Sequence, residues 1–91
     1  MPDVSSKQMK LLYFAWVRER VGRGAEDVEL PEGVATVSDV VGWLKGRGPG
    51  FAEAFARPEL VRAAVDKVHV KPAASIDGAR EIAFFPPVTG A

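Results

Sequence analysis

Apolar residues recur along the chain at spacings that predict strands and helices in a definite order. Residues 10–16 are almost continuously apolar, which favours a strand buried on both faces at the centre of a sheet. Residues 17–21 place valines at positions i and i+4, as expected for a short helical turn that ends at Gly22. Residues 26–30 alternate polar and apolar side chains before Pro31, which is typical of an edge strand antiparallel to the first.

The longest helix is predicted to begin after Thr36. Its hydroxyl group can cap the helix, and Asp39 places a negative charge near the positive end of the helix dipole. Apolar residues then follow at i, i+3, i+4 and i+7, namely Val37, Val40, Val41 and Leu44. Residues 51–56 carry two phenylalanines four positions apart and predict a shorter second helix.

Further strands are predicted in the second half of the chain, at residues 60–65, 68–70 and 81–85. The first and last strands are the most apolar, so we expect them side by side at the centre of the sheet. They run parallel if the intervening chain supplies a crossover. This order indicates an α+β fold, a β-grasp (ubiquitin-like) mixed sheet with one main helix and short accessory helices packed on one face.

The chain changes character after Phe85, where Pro86 and Pro87 follow an apolar strand directly. Proline has a fixed φ and no backbone N–H, so the strand cannot continue and a stiff, polyproline-like stem follows it. Residues 86–91 can reach roughly 20 Å from the body and end in a carboxylate on Ala91, suited to entering another protein's active site. The prediction therefore divides the chain into a flexible arm at 1–8, a β-grasp domain at 9–85 and an extended functional tail at 86–91.

Composition restricts the partners and the compartment of the protein. Its 91 residues allow one domain, and 12 basic and 12 acidic residues cancel, so no net field attracts nucleic acid or an anionic membrane. No apolar run approaches the roughly 20 residues of a membrane span, and the first residues lack the apolar region of a signal peptide. We therefore expect a cytoplasmic protein.

The chain contains no cysteine and one histidine. Disulfides, thiolate zinc sites and persulfide carriage on a side chain are therefore excluded. His69 has no acidic residue at metal-ligand spacing, and we expect it to face solvent or a partner from a strand. We predict no metal site and no catalytic side chain in this chain.

Aromatic residues next to the tail are candidates for partner contacts. Phe84 and Phe85 point to opposite faces of the predicted strand, so we expect one in the core and the other as an exposed anchor. The same two alternatives, packing in the core or exposed contact with a partner, apply to Tyr13, Phe14 and Trp16. Four arginines either meet an acidic partner surface or remain ordinary solvated charges; they are Arg18, Arg20, Arg23 and Arg47.

The string EIAFFPPVTG at residues 81–90 closely resembles the C-terminal signature of the small subunit of molybdopterin synthase, also called molybdopterin-converting factor. The string KLLYFAWVRE at residues 10–19 resembles the first strand and following turn of that family. Residues 34–44, which follow the string LPEG, resemble its helix entry. The resemblance spans about residues 9–91 and is most specific at the tail.

This resemblance implies a sulfur carrier. In the family, an ATP-dependent enzyme of the ubiquitin-activating type adenylates the terminal carboxylate, which here belongs to the Gly90-Ala91 end, and the carboxylate becomes a thiocarboxylate. The tail then enters the large synthase subunit, and its sulfur builds the dithiolene of molybdopterin. The implied partner-binding residues are Phe84, Phe85, Pro86, Pro87, Val88 and Thr89.

The resemblance also implies how the work is divided between subunits. The family assembles as a heterotetramer, with two small subunits at opposite ends of a dimer of large subunits. The small subunit binds no cofactor, because ATP is used by the activating enzyme and the acid and base groups belong to the partners. The chain itself supplies only the activated end.

The sequence departs from the family at Ala91, which stands in place of a second glycine. The added methyl group barely changes the acidity of the carboxylate, so any penalty is steric. Three alternatives follow: partners adapted to alanine, a precursor or altered form of the protein, or a paralogue that binds without transferring sulfur. A non-catalytic ubiquitin-like binding module and a related carrier for thiamine or another sulfur product are the other hypotheses for the function.

Overall fold

A computed structural model describes residues 6–87, with side chains from Gln8 onward, and contains one five-stranded mixed sheet. The strands are β1 (Ser6–Tyr13), β2 (Ala25–Pro31), β3 (Arg62–Val65), β4 (Val68–Val70) and β5 (Glu81–Phe85). The helices are α1 (Ala15–Val21), α2 (Val37–Lys45) and α3 (Pro49–Ala54), followed by a 3₁₀ turn at Pro58–Leu60. The predicted order of elements is confirmed.

The strands lie in the order β2-β1-β5-β3-β4, so β5 occupies the middle of the sheet. Strand β1 pairs with β5 in parallel and with β2 in antiparallel orientation, whereas β3 pairs with both β4 and β5 in antiparallel orientation. The predicted parallel contact between the first and last strands is therefore present. This topology confirms the β-grasp fold.

Strand β1 has one buried and one open face. Met9, Leu11 and Tyr13 are buried, whereas Leu12 is only half-buried and Phe14, directly after the strand, is 48% exposed. The expectation of a strand buried on both faces is therefore wrong. The helices contribute their apolar residues to the same core as these inward side chains, and they leave the opposite face of the sheet uncovered.

Strand β1 begins at Ser6, earlier than the sequence predicts, because its first residues are polar. Ser6 pairs with Pro31 and Gln8 pairs with Glu29, so residues 6–8 belong to the sheet and not to the predicted arm. Residues 6–8 are polar, and backbone pairing with β2 extends the strand beyond the apolar run. The rest of the predicted arm, residues 1–5, lies outside the described part of the chain.

The start of α2 is fixed by reciprocal hydrogen bonds between Thr36 and Asp39. The Asp39 backbone N–H donates to the Thr36 hydroxyl (3.1 Å), and the Thr36 backbone N–H donates to the Asp39 carboxylate (3.1 Å). Backbone hydrogen bonds from Ala35 and Thr36 hold the pKa of Asp39 below its usual value. The capping role predicted for Thr36 is confirmed.

The connection from β4 to β5, residues 71–80, supports the same end of α2. Its carbonyl groups at Pro72 and Ala74 accept hydrogen bonds from Ser38 (2.8 Å) and Val37 (3.0 Å). Its side chain Ile76 is fully buried in the core. This segment shows no apolar period, so the sequence did not indicate that it forms part of the core.

Helices α1 and α3 approach each other closely at Gly50. A Cβ atom on Gly50 would overlap with the backbone oxygen of Arg20. Glycine is therefore required for this contact between the two short helices, which brings the end of α1 and the start of α3 together beside the sheet.

Candidate functional site at the base of the tail

The base of the tail is anchored in the core by Phe84. Its side chain is fully buried, and its ring stacks with Tyr13 (centroids 6.1 Å apart) and meets the edge of Phe55 (5.2 Å). Its backbone oxygen accepts a hydrogen bond from the Phe14 N–H (3.1 Å). Phe84 therefore fixes the stem from inside the domain, and a partner has no access to its side chain.

Phe85 points to the opposite, open face of the sheet, as the alternation predicts. It is half-buried, and its ring lies 5.1 Å from the ring of His69, which is exposed on the same face. Tyr13 pairs with Phe84, so the next residue along the chain, the exposed Phe14, lies beside Phe85. Of the aromatic candidates, Tyr13 belongs to the core, whereas Phe14 and Phe85 are available to a partner.

Pro86 and Pro87 continue from β5 and form one wall of an open groove. Residues of α1, α3 and the following turn form the other walls: Trp16, Arg20, Glu53, Ala54, Ala56, Arg57 and Leu60. We call this surface the tail-root groove. The stem therefore leaves the central strand along a surface made by the short helices.

The remaining predicted site residues lie outside the described part of the chain. They are Val88, Thr89, Gly90 and Ala91. The sulfur-carrying role of the carboxylate and the partner contacts of these residues stay predictions.

A cluster of charged residues that the sequence analysis missed lies around Glu26. The Tyr13 hydroxyl donates to Glu26 Oε2 (2.7 Å), as does Arg47 Nη1 (2.7 Å), and Arg23 Nη1 donates to Oε1 (2.9 Å). One signal in the sequence was the alternation of β2, which places Glu26 on the inward face. The structure agrees, because Glu26 pairs with the buried Leu11. The pairing with Tyr13 brings together residues far apart in sequence, which local alternation does not reveal.

The cluster shifts the pKa values of its members in opposite directions. Burial, together with the hydrogen bond and negative charge of Glu26, raises the pKa of Tyr13 far above its usual value. Burial alone would raise the pKa of Glu26, but hydrogen bonds from Arg47 and Tyr13 and the charges of Arg47 and Arg23 lower it. The carboxylate is therefore held ionised between neutral tyrosine and two guanidinium groups.

The arginines proposed for an acidic partner differ in their surroundings. Arg23 and Arg47 form ion pairs with Glu26, and the guanidinium group of Arg47 also lies over the rings of Trp43 (5.1 Å) and Phe51 (4.8 Å). Arg20 lies over Trp16 (5.8 Å) and 3.7 Å from Glu53. Arg23 and Arg47 therefore have structural partners within the domain.

Two properties of the described residues bear on the kind of site. Within residues 6–87, no group of three or more histidine or acidic side chains is arranged to hold a metal ion. No helix in the same range is long and apolar enough to cross a membrane.

The parallel pairing of β1 with a central β5, and the two prolines that leave it, define a ubiquitin-like β-grasp domain with its tail on the middle strand. Residues 11–90 match the sequence profile of the ThiS family, and the chain belongs to this family. Together with the relatives described next, this match confirms the resemblance noted in the sequence.

Individual relatives agree with this assignment. The chain is 33% identical over 82 residues to the molybdopterin synthase sulfur carrier subunit of Haemophilus influenzae, covering 90% of this chain and 98% of the relative. The structure of a putative molybdopterin converting factor, subunit 1, from Pyrococcus furiosus superposes with a TM-score of 0.67 at 27% identity, over 89% of this chain and 98% of that one. Small archaeal modifier protein 1 of Haloferax volcanii shares the fold, with a TM-score of 0.65 at 23% identity and the same coverage.

Proposed function

We propose that this protein is the sulfur-carrier small subunit of a molybdopterin synthase. The observation that carries the proposal is the stem Phe85-Pro86-Pro87, which leaves the central strand of a ThiS-family domain. The similarity to a relative named as a molybdopterin synthase sulfur carrier subunit supports the same assignment. The reactive group is the carboxylate at the end of the tail, at Gly90-Ala91.

The chemistry requires activation because a carboxylate is a poor electrophile. An activating enzyme of the ubiquitin type transfers the AMP moiety of ATP to the carboxylate and releases pyrophosphate. A sulfur donor then displaces AMP, and the resulting thiocarboxylate is a nucleophile held on a tether. The domain's contribution is to bind the partners and to direct the tail.

Two partners follow from this role. The activating enzyme modifies the tail, and the large synthase subunit then receives it for sulfur transfer to the dithiolene of molybdopterin. The complete synthase is a heterotetramer with a carrier at each end of a dimer of large subunits, and we place it in the cytoplasm. Both partners bind the same tail and therefore bind in turn.

The test of this proposal is the intact mass of the protein after incubation with the activating enzyme, ATP and a sulfur source. Replacement of one carboxylate oxygen by sulfur adds about 16 Da. We expect this gain for the chain ending in Ala91 and for the matched variant Ala91→Gly. If only Ala91→Gly gains mass, this chain is not an active carrier, and a variant lacking Ala91 then tests the precursor alternative.

The alternative function is a non-catalytic ubiquitin-like binding module. The observation that favours it is the open sheet face, where Phe14 and Phe85 are available without any use of the carboxylate. Capping the terminal carboxylate as an amide separates the two functions. The capped protein loses sulfur transfer if it is a carrier, whereas a binding module keeps its affinity for the partner.

A further inference from the structure

The tail-root groove combines an apolar floor with a positively charged rim. Trp16, Leu60 and the two prolines supply apolar surface, and Leu60 is 39% exposed although it is a large hydrophobic residue. We propose that this groove is a docking site for the large synthase subunit, which inserts one apolar side chain with a carboxylate next to it. The inference rests on the proposed function and adds a surface on the helix side of the tail.

The groove lies at the base of the tail, within reach of a protein that receives the tail. Residues 88–91 follow Pro87 directly and span at most about 14 Å when fully extended. An active site that reaches the carboxylate therefore lies within this distance of Pro87, so the large subunit around such a site is close enough to contact the adjoining surface. The groove is thus continuous with the contact that the tail itself makes.

The apolar floor favours the large subunit over the activating enzyme. Burial of exposed apolar surface contributes roughly 25 cal/mol per Å², and tryptophan is enriched where interfaces gain most of their energy. Such a contact suits the complex of which the carrier is itself a subunit, and the curated relative is named as a subunit of the synthase. The activating enzyme needs access only to the end of the tail, so it has less use for an apolar contact at the base.

The rim specifies the charge of the partner. Arg20 and Arg57 lie on it together with a single carboxylate, that of Glu53. The Arg20–Glu53 pair is long, at 3.7 Å, with side chains 47% and 65% exposed, so it is easily replaced. Arg57 makes no ion pair with any residue in the range 6–87. The rim therefore has an excess positive charge that an acidic side chain would complement.

A second copy of this chain is a poor occupant for the same reason. A two-fold contact places the same surface on both molecules, so the arginines of one rim would face those of the other. Like charges at an interface are unfavourable unless acidic residues intervene, and Glu53 is the one acidic residue among those lining the groove. The groove is complementary to a surface of opposite charge.

The experiment measures the dissociation constant between the carrier and the purified large subunit by titration calorimetry. The test variants are Arg57→Glu and Leu60→Ser, both on exposed side chains. The matched controls are Arg80→Glu, which makes the same charge reversal, and Val68→Ser, which removes another exposed aliphatic side chain; both lie near the opposite end of β5, where Val68 is 62% exposed. Thermal unfolding of each variant checks that the domain remains folded.

We expect Arg57→Glu to weaken binding about tenfold at low salt and less at high salt, because its effect is electrostatic. Leu60→Ser should weaken binding roughly fivefold at both salt concentrations, because its effect is loss of apolar contact. The controls should stay within about twofold of the original protein. Sulfur loading by the activating enzyme, read from the intact mass, should be unchanged in all four variants.

The outcomes separate the inference from the proposed function. If the original protein binds the large subunit and both groove variants bind equally well, the groove is not a docking site and the carrier function stands. An equal loss with Arg80→Glu, or self-association of the original protein that Leu60→Ser abolishes, also overturns the inference. If the original protein neither acquires sulfur nor binds the large subunit, the proposed function fails and the inference fails with it.

Discussion

Glu26 accepts hydrogen bonds from three side chains while its own side chain is only 9% exposed. An isolated carboxylate at this depth would be destabilised by loss of water. The donors Tyr13, Arg23 and Arg47 replace that water, and they come from β1, from the turn before β2 and from the segment after α2. One carboxylate therefore connects three parts of the domain.

The variant Glu26→Gln tests this connection. The folded-state pKa of Glu26 lies below its ordinary value, so the carboxylate contributes stability above the unfolded pKa, and this contribution is lost as pH falls through the folded pKa. We expect the variant to be about 1–3 kcal/mol less stable than the original protein at neutral pH, with a smaller difference in acid. Urea unfolding at neutral pH and near pH 3 measures both quantities.

The control for this experiment is Glu19→Gln on the exposed surface of α1. It removes the same charge and should change the stability by no more than about 0.5 kcal/mol. A Glu26→Gln protein with the stability and pH dependence of the original would show that the cluster contributes nothing to folding.

The same added methyl group is expected to have opposite effects on stability at two glycines. A Cβ on Gly50 would meet the Arg20 backbone oxygen, whereas one on Gly42, exposed in the middle of α2, meets nothing within 4 Å. We expect Gly50→Ala to lose about 1–3 kcal/mol because α1 and α3 must separate. Gly42→Ala should gain up to about 1 kcal/mol from helix propensity.

Thermal or urea unfolding of the two alanine variants measures this difference directly. Equal stabilities would mean that α3 moves away from α1 without cost, and the close packing of the two helices would not contribute to the fold.

Features with a local cause could be predicted from the sequence, as could the pairing of the two most apolar strands, but side-chain contacts that depend on strand register could not. The cap at Thr36 and the end of β5 at Phe85 depend on neighbouring residues, and both were predicted correctly. The bonds between Tyr13 and Glu26 join residues 13 positions apart, and their formation depends on the register of β1 against β2. The expectation that β1 is buried on both faces was wrong because it rested on the apolar run alone, whereas helices on one face of the sheet leave Leu12 and Phe14 partly exposed on the other.

Helix α2 begins at a point where two segments distant in sequence meet. Thr36 and Asp39 satisfy donors of its first turn from within, and the carbonyl groups of residues 72 and 74 satisfy two more from the connection before β5. The start of the main helix is therefore held both locally and by the segment that leads into the central strand.

The variant Thr36→Ala measures the local part of this support. It removes the acceptor for the Asp39 N–H, and we expect a loss of about 1 kcal/mol in the free energy of unfolding. Ser38→Ala, two positions along and exposed, is the matched control and should not lose stability. If both variants unfold at the same urea concentration, the hydrogen bonds that the helix donates to the carbonyl groups of residues 72 and 74 are sufficient to start the helix.

The domain as a whole presents two different surfaces beside its tail. The tail-root groove lies against α1 and α3, and the open sheet face carries Phe14 and Phe85. A partner that receives the tail can contact both surfaces at once, because β5 ends between them.

The variant Phe14→Ser tests the open face. Phe14 is 48% exposed, so its loss should leave stability nearly unchanged while weakening binding to the large subunit about tenfold. Val68→Ser removes an even more exposed apolar side chain near the start of β5 and should leave the affinity unchanged. Equal affinities of the two variants in calorimetry would exclude the open face near Phe14 from the interface.

The middle position of β5 makes presentation of the tail depend on complete folding. Strand β5 is the last of the five along the chain, yet β1 and β3 are joined only through it. A chain in which the strand has not inserted has two unfilled sheet edges and no fixed direction for Pro86 and Pro87. Under the proposed function, an activating enzyme would therefore meet a correctly directed stem only on fully folded molecules.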